Sequence, residues 1–196
     1  MIDLKGYSLV LASKSPRRAE LLNELGVEFE VRAQEVEENF PANLPGLEVA
    51  AYISKKKAVA FEGLIGEKEV ILTSDTVVLL GEKVLGKPRD LEEAKQMLRE
   101  LSGSTHKVIS AITLKSLSKE ITLSDVVTVH FKKLDLEEIE YYVNKYNPLD
   151  KAGAYGIQEW IGYVGITSIE GSYFTVMGLP VHLVYRELVG WFDKED

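Results

Sequence analysis

Strand-like and helix-like stretches alternate along almost the whole chain, and this alternation restricts it to a small set of layered folds. Residues 7–12 are apolar at nearly every position, as a strand buried on both faces requires. Pro16 then opens a helix to Leu25, with Ala19, Leu22 and Leu25 near helical spacing and Gly26 as its stop. Residues 27–32 alternate apolar and polar, which predicts a second strand; 47–64 predict a helix and 70–73 a short strand. Residues 77–80 and 83–85 flank Gly81-Glu82 as a hairpin. Asp90 with Glu93, and Asp135 with Glu138, have the spacing of capping boxes for helices running to about Leu101 and Tyr146. Residues 107–115 and 121–131 predict two long antiparallel strands and 163–169 another. Residues 171–178 are turn-rich, and Pro180 opens a last helix with Leu183, Val184, Leu188 and Trp191 inward. The expectation is an α/β fold with a mixed sheet flanked by helices.

Charge and composition remove several classes of function. The net charge of −8 argues against nucleic acid and anionic membranes as partners. The absence of cysteine excludes disulfides, thiol catalysis and thiolate metal sites. His106, His130 and His182 show no metal-binding spacing, so a metal would rest on carboxylates, which suits Mg²⁺ or Mn²⁺. No apolar run is long enough to span a membrane and no signal-peptide core precedes the first charges, so the expected location is the cytoplasm. A chain of 196 residues suits one domain, with two lobes around a cleft. The acidic, proline-bearing stretch 34–46 reads as a rim of that cleft.

One local pattern runs against electrostatic expectation. The first turn of a helix carries partial positive charge and favours acids, yet the turn after Ser15 and Pro16 holds Arg17 and Arg18, with Ser13 and Lys14 just before. Backbone N–H groups, serine hydroxyls and three cations together call for an anion, and a phosphate chain fits. Other residues answer it. Lys57 falls in the middle of the apolar arc of the 47–64 helix, between Ile53 and Phe61, either snorkelling over apolar surface or reaching into a cleft. Asp75, flanked by Ser74 and Thr76, ends the short apolar strand, where a carboxylate serves as general base, metal ligand or simple turn former. Glu35, Glu37 and Glu38 form either a solvated charge run or the source of the second carboxylate that a divalent cation between phosphates needs. Lys87, between Gly86 and Pro88, offers a point charge without the spacing of a P-loop. Residues 153–158, with Tyr155 and Gln158, can stack on and hydrogen-bond a base, or form a plain turn. A nucleoside triphosphate is the ligand that uses all of these groups.

The motifs Leu11-Ala12-Ser13-Lys14-Ser15-Pro16-Arg17-Arg18, Ser74-Asp75-Thr76-Val77-Val78, Gly86-Lys87-Pro88-Arg89-Asp90, Leu101-Ser102-Gly103 with Thr105-His106, Asp150 through Gln158, and Gly171-Ser172-Tyr173 with Gly178-Leu179-Pro180 stand in one order along the chain. Through them the chain resembles the Maf family of nucleotide pyrophosphatases over nearly its whole length. The resemblance implies an elongated mixed sheet with a deep central cleft, related to inosine triphosphatase-like enzymes. It implies hydrolysis of a nucleoside triphosphate between its α and β phosphates, giving the monophosphate and pyrophosphate. Asp75 takes the place of the family's catalytic acid, Glu38 best matches its second carboxylate with Glu37 one residue away, and Lys57 and Lys87 match its lysines. Asp75 and Glu38 would hold the Mg²⁺ or Mn²⁺. Ser13, Arg17 and Arg18 fall on the phosphate side. Arg18, Thr76 and Gln158 occupy the selectivity positions of the branch acting on dTTP and UTP, which leaves room for modified pyrimidine nucleotides. Ser104 replaces a frequent arginine, and Glu159-Trp160 replaces a frequent glycine, adding bulk and charge near the expected base site. Arg18 is expected to face solvent or ligand, so that reversing its charge would raise KM and spare the fold. The family's tie to septum formation supplies a rival reading, a nucleotide-binding regulator of division that needs no turnover. The resemblance also leaves room for a homodimer.

Overall fold

The computed structural model describes residues 2–191. Its elements follow one another as β1 (Ser8–Leu11), α1 (Pro16–Glu24), β2 (Phe29–Val31), α2 (Val49–Val59), β3 (Glu69–Leu80), β4 (Lys83–Leu85), α3 (Leu91–Leu101), β5 (Thr105–Lys115), β6 (Glu120–Phe131), α4 (Leu136–Tyr146), α5 (Trp160–Gly165), β7 (Ile166–Glu170), α6 (Tyr173–Met177) and α7 (Val181–Trp191). Seven strands form one mixed sheet in the order β2-β1-β3-β5-β6-β7, with β4 paired to β3 off that path. The first strand is parallel to both β2 and β3, while β4 runs antiparallel to β3 and β7 antiparallel to β6. A strand such as β1 that has partners on both sides and apolar residues on both faces must be covered by helices. Among the described residues, no helix is long and apolar enough to cross a membrane.

The chain divides into two compact units whose boundaries fall inside β3, β5 and β6 and between α6 and α7. The first comprises the residues up to Asp75, Ser110–Asp125 and those from Gly178 on; the second comprises Thr76–Ile109 and Val126–Met177. In the first unit, Val10 and Ala12 of the opening segment pack with Phe61 and Ile71. The second is built on a continuous apolar core in which Ala94, Met97, Leu98 and Leu101 of α3 meet Ile139, Tyr142 and Val143 of α4 and Val127, Val129 and Phe131 of β6. There Gly153 lies so close to Val78 that a Cβ would sit 2.8 Å from its side chain, and its φ of +66° is itself unfavourable for any other residue.

Most element types agree with the sequence, and the differences have local causes. The predicted helix over 47–64 begins as a 3₁₀ turn at Gly46–Glu48 and stops at Val59, because the next residues close i→i+3 turns and Gly63 takes a φ of +79°. Leu64, the last residue of that predicted helix, is exposed. The short strand and the hairpin arm after it are one strand of 12 residues, β3, which runs straight through Ser74-Asp75-Thr76. Asp75 therefore neither ends a strand nor forms a turn. The strand continues because its buried polar groups find internal partners, Ser74 Oγ donating to the Gly178 carbonyl and Thr73 Oγ1 to the Ser54 carbonyl. Residues 160–165, expected in part as strand, form α5, whose Gly162 approaches the Ile157 carbonyl too closely for any side chain. Asp135 and Glu138 form the full capping box. At α3, Asp90 accepts from the Glu93 amide, but the Glu93 carboxylate turns to Arg89 instead of closing the box.

Candidate active site

The basic helix start resolves into a set of specific contacts. Pro16 opens α1 after Ser15, whose side chain makes no capping bond, and no acid occupies the first turn. Ser13 Oγ does the local work instead, accepting from the Ser15 amide at 3.2 Å and from Arg18 Nη1 at 3.3 Å. Arg18 also donates from Nη1 to the Ser74 carbonyl and from Nε to the Gly178 carbonyl, each at 2.9 Å. Burial lowers its pKa, opposed by the charge of Asp75 and assisted by that of Arg17. Its guanidinium thus ties the 13–18 turn to β3 and to the start of the last helical segment. This corrects the expectation that reversing its charge would spare the fold: a carboxylate there would face two carbonyl oxygens. Lys14 reaches out to Glu35 at 3.1 Å as an exposed pair, away from these part-buried contacts.

One turn of helix and one strand position bring the sharpest charges together. Lys57 Nζ lies 2.7 Å from Glu38 Oε1 and 2.7 Å from Asp75 Oδ1. The side chains are 15% (Lys57), 37% (Glu38) and 7% (Asp75) exposed, so the triad is open on its Glu38 side. Burial pushes the Asp75 carboxyl above its ordinary value, against the pull of Lys57 and Arg18 and with a small push from Glu38. Lys57 therefore does not snorkel to solvent; it bridges two carboxylates. The neighbouring Glu37 bonds Asn39 instead, so Glu38 is the acid of the loop that reaches this group. Among the described residues, no group of three or more His, Asp or Glu stands ready for a metal. Two carboxylates already converging on a cation nevertheless fit Mg²⁺ or Mn²⁺, which commonly take one or two carboxylates and complete their shell with phosphate and water.

Thr76, Lys87 and Gln158 belong to the second unit. The Gly153 amide donates to the Gly86 carbonyl at 3.0 Å, which joins the loop of Lys87 to the segment that leads to Gln158. The Gln158 Oε1 atom is buried without a protein partner. Tyr155 is not a stacking platform: it is buried, its hydroxyl lies 2.7 Å from His106 Nε2, and its ring meets Phe131 and His106 edge-on. Nor does Glu159 add a loose charge. Its carboxylate accepts a short hydrogen bond from the Tyr142 hydroxyl and pairs with the buried Lys151 at 3.1 Å, while Tyr142 accepts from the Gly156 amide at 3.0 Å. Lys151 stands inside the Asp150–Gln158 motif, but no spacing in the sequence marks it or Tyr142 as a buried partner of Glu159.

The family model described as Maf-like protein matches residues 8–191. The chain belongs to the Maf family. Maf-family relatives named dTTP/UTP pyrophosphatase include a protein of Bacteroides thetaiotaomicron, 48% identical over 95% of this chain and 97% of that protein. Another is from Flavobacterium psychrophilum, 49% identical over 92% of this chain and 93% of that protein. A third, from Porphyromonas gingivalis, is 47% identical over 96% of each. Among solved structures, the Staphylococcus aureus Ham1 protein shares 13% identity at a TM-score of 0.47, over 63% of this chain and 71% of that one, a likeness too loose to build on.

Proposed function

We propose that this Maf-family chain is a nucleoside triphosphate pyrophosphatase acting on dTTP and UTP. Water attacks the α-phosphorus, the bond from that phosphorus to the bridging oxygen breaks, and pyrophosphate leaves with the bonding pair. The observation that carries the reading is the Lys57 ammonium held between Glu38 and Asp75, in a chain whose relatives bear that name. Asp75, raised by burial, takes the proton of the attacking water at a carboxylate oxygen. Lys57 keeps Asp75 ionised and oriented until that transfer, and it counters charge that grows on the phosphate oxygens. Glu38 and Asp75 would also hold the Mg²⁺ or Mn²⁺, which would neutralise phosphate charge. Ser13, Arg17 and Lys87 serve the phosphates by hydrogen bond or charge. Arg18 braces the wall formed by the 13–18 turn while adding its field there.

Thr76 and Gln158 read the base. A buried amide oxygen without a protein partner is what a site for an N–H group requires, and the imide N–H of thymine and uracil supplies one. Asp75→Asn with pyrophosphate release from dTTP measured in Mg²⁺ tests the assignment: turnover should fall by about 10²–10⁴-fold in a folded protein. Near-normal turnover would overturn it. If the unaltered protein released no pyrophosphate from any canonical or modified triphosphate, a nucleotide-binding regulatory role would replace hydrolysis.

A further inference from the structure

Beneath the Lys57–Asp75 pair lies a row of buried hydroxyls. Ser54 of α2, Thr73 of β3 and Thr113 of β5 have no exposed surface. Thr73 Oγ1 donates to the Ser54 carbonyl at 2.7 Å. Ser54 Oγ lies 3.2 Å from Thr73 Oγ1 and 3.0 Å from Thr113 Oγ1, and Thr113 Oγ1 lies 2.9 Å from Thr122 Oγ1 of β6.

Each hydroxyl has one proton to give. That of Thr73 is committed to the carbonyl, so in the Ser54–Thr73 contact Ser54 must be the donor. Ser54 then has nothing left for Thr113, which must donate to it, and Thr122 in turn donates to Thr113. The row has one direction, Thr122 to Thr113 to Ser54 to Thr73 to the Ser54 carbonyl, with every proton used once.

The placement of the row gives it a consequence. Ser54 precedes Lys57 by three residues on α2, nearly one turn, so both lie on one face. Thr73 precedes Asp75 by two residues on β3, so both point to one side of the sheet. Helix and strand are therefore joined twice on the same faces, first by hydroxyls and then by the ion pair. Apolar side chains at 54 and 73 would hold the two elements together but let them slide, whereas a directed hydrogen bond fixes their register. Misplacing a reacting group by about 1 Å can cost about 10²-fold in rate.

We propose that Ser54 and Thr73 are positioning residues, whose directed hydroxyl chain sets the Lys57–Asp75 contact and with it the aim of the base. This rests on the reading of Asp75 given above. Pyrophosphate release from dTTP with Mg²⁺ tests it, at a temperature where circular dichroism shows each variant folded. Thr73→Val should lower kcat by about tenfold or more while KM stays within about twofold, and Thr73→Ser should restore kcat. Thr122→Val removes only the first donor of the chain and should leave kcat within about twofold. Ser54→Ala is the second cut, should Thr73→Val not fold. Unchanged kcat in Thr73→Val, an equal loss in Thr122→Val, or failure of Thr73→Ser to rescue would each overturn the proposal. Asp75→Asn measured alongside separates the two claims: normal turnover there defeats the reading of the site, whereas an inactive Asp75→Asn beside a normal Thr73→Val defeats only the positioning role.

Discussion

Helices α2 and α3 each have 11 residues, yet they are built to different rules. The inward side of α3 carries Ala94, Met97, Leu98 and Leu101, its N-cap is Asp90, and acids fill its first turn. Every local choice serves burial and helix stability. The inward side of α2 carries Val49, Ala50, Ile53 and Ala58, but also Ser54, and Lys57 stands among them. It has no side-chain cap and no acid in its first turn. Departures from local optimum of this kind gather where a protein needs geometry more than stability. Thus α3 holds the second unit together, while α2 delivers one ammonium to two carboxylates.

The contrast breaks first at the charges. Asp75→Asn should produce the largest catalytic loss, about 10²–10⁴-fold in kcat, with the fold retained. Leu98→Ala, in the fully buried stripe of α3, should do the reverse: denaturant melts should show a loss of about 2–5 kcal/mol, while kcat of the folded protein stays near normal. If the two substitutions traded effects, the division of labour would be wrong.

Acid sharpens the same contrast. Burial among Phe131 and Tyr155 lowers the His106 imidazole from 6.5 to about 4. Over that interval the unfolded chain binds a proton that the folded chain refuses, so stability is lost as pH falls from 6.5 towards 4, by at most about 3 kcal/mol. Urea midpoints measured across that range should decline, and His106→Gln should flatten the decline. Smallest of all, Asp135→Ala at the capping box of α4 should cost about 1 kcal/mol in the same melts and leave turnover untouched.

Much of this was legible because sequence patterns report local physics. The apolar run of β1, Pro16 at a helix start, and the Asp135–Glu138 spacing each name a structure within a few residues. Lys57 was legible as an interruption of an apolar arc, although its partners were not. Position 75 is illegible for the opposite reason: Ser-Asp-Thr looks like the end of a strand unless the Gly178 carbonyl, about a hundred residues later, is known to receive Ser74. The same blindness hid Ser54 and Thr73, since a serine inside a helix signals nothing until a strand threonine stands beside it. Arg18 looked like a free wall of charge because carbonyl acceptors leave no mark in a sequence.

In this site Lys57 holds Asp75 ionised against its burial. The most direct test is the pH dependence of kcat for pyrophosphate release from dTTP, compared between the unaltered protein and Lys57→Met. Removing the ammonium leaves burial and Glu38 unopposed except by Arg18, so the acid limb of the profile should move to higher pH. An acid limb that stayed in place or moved to lower pH would contradict the account.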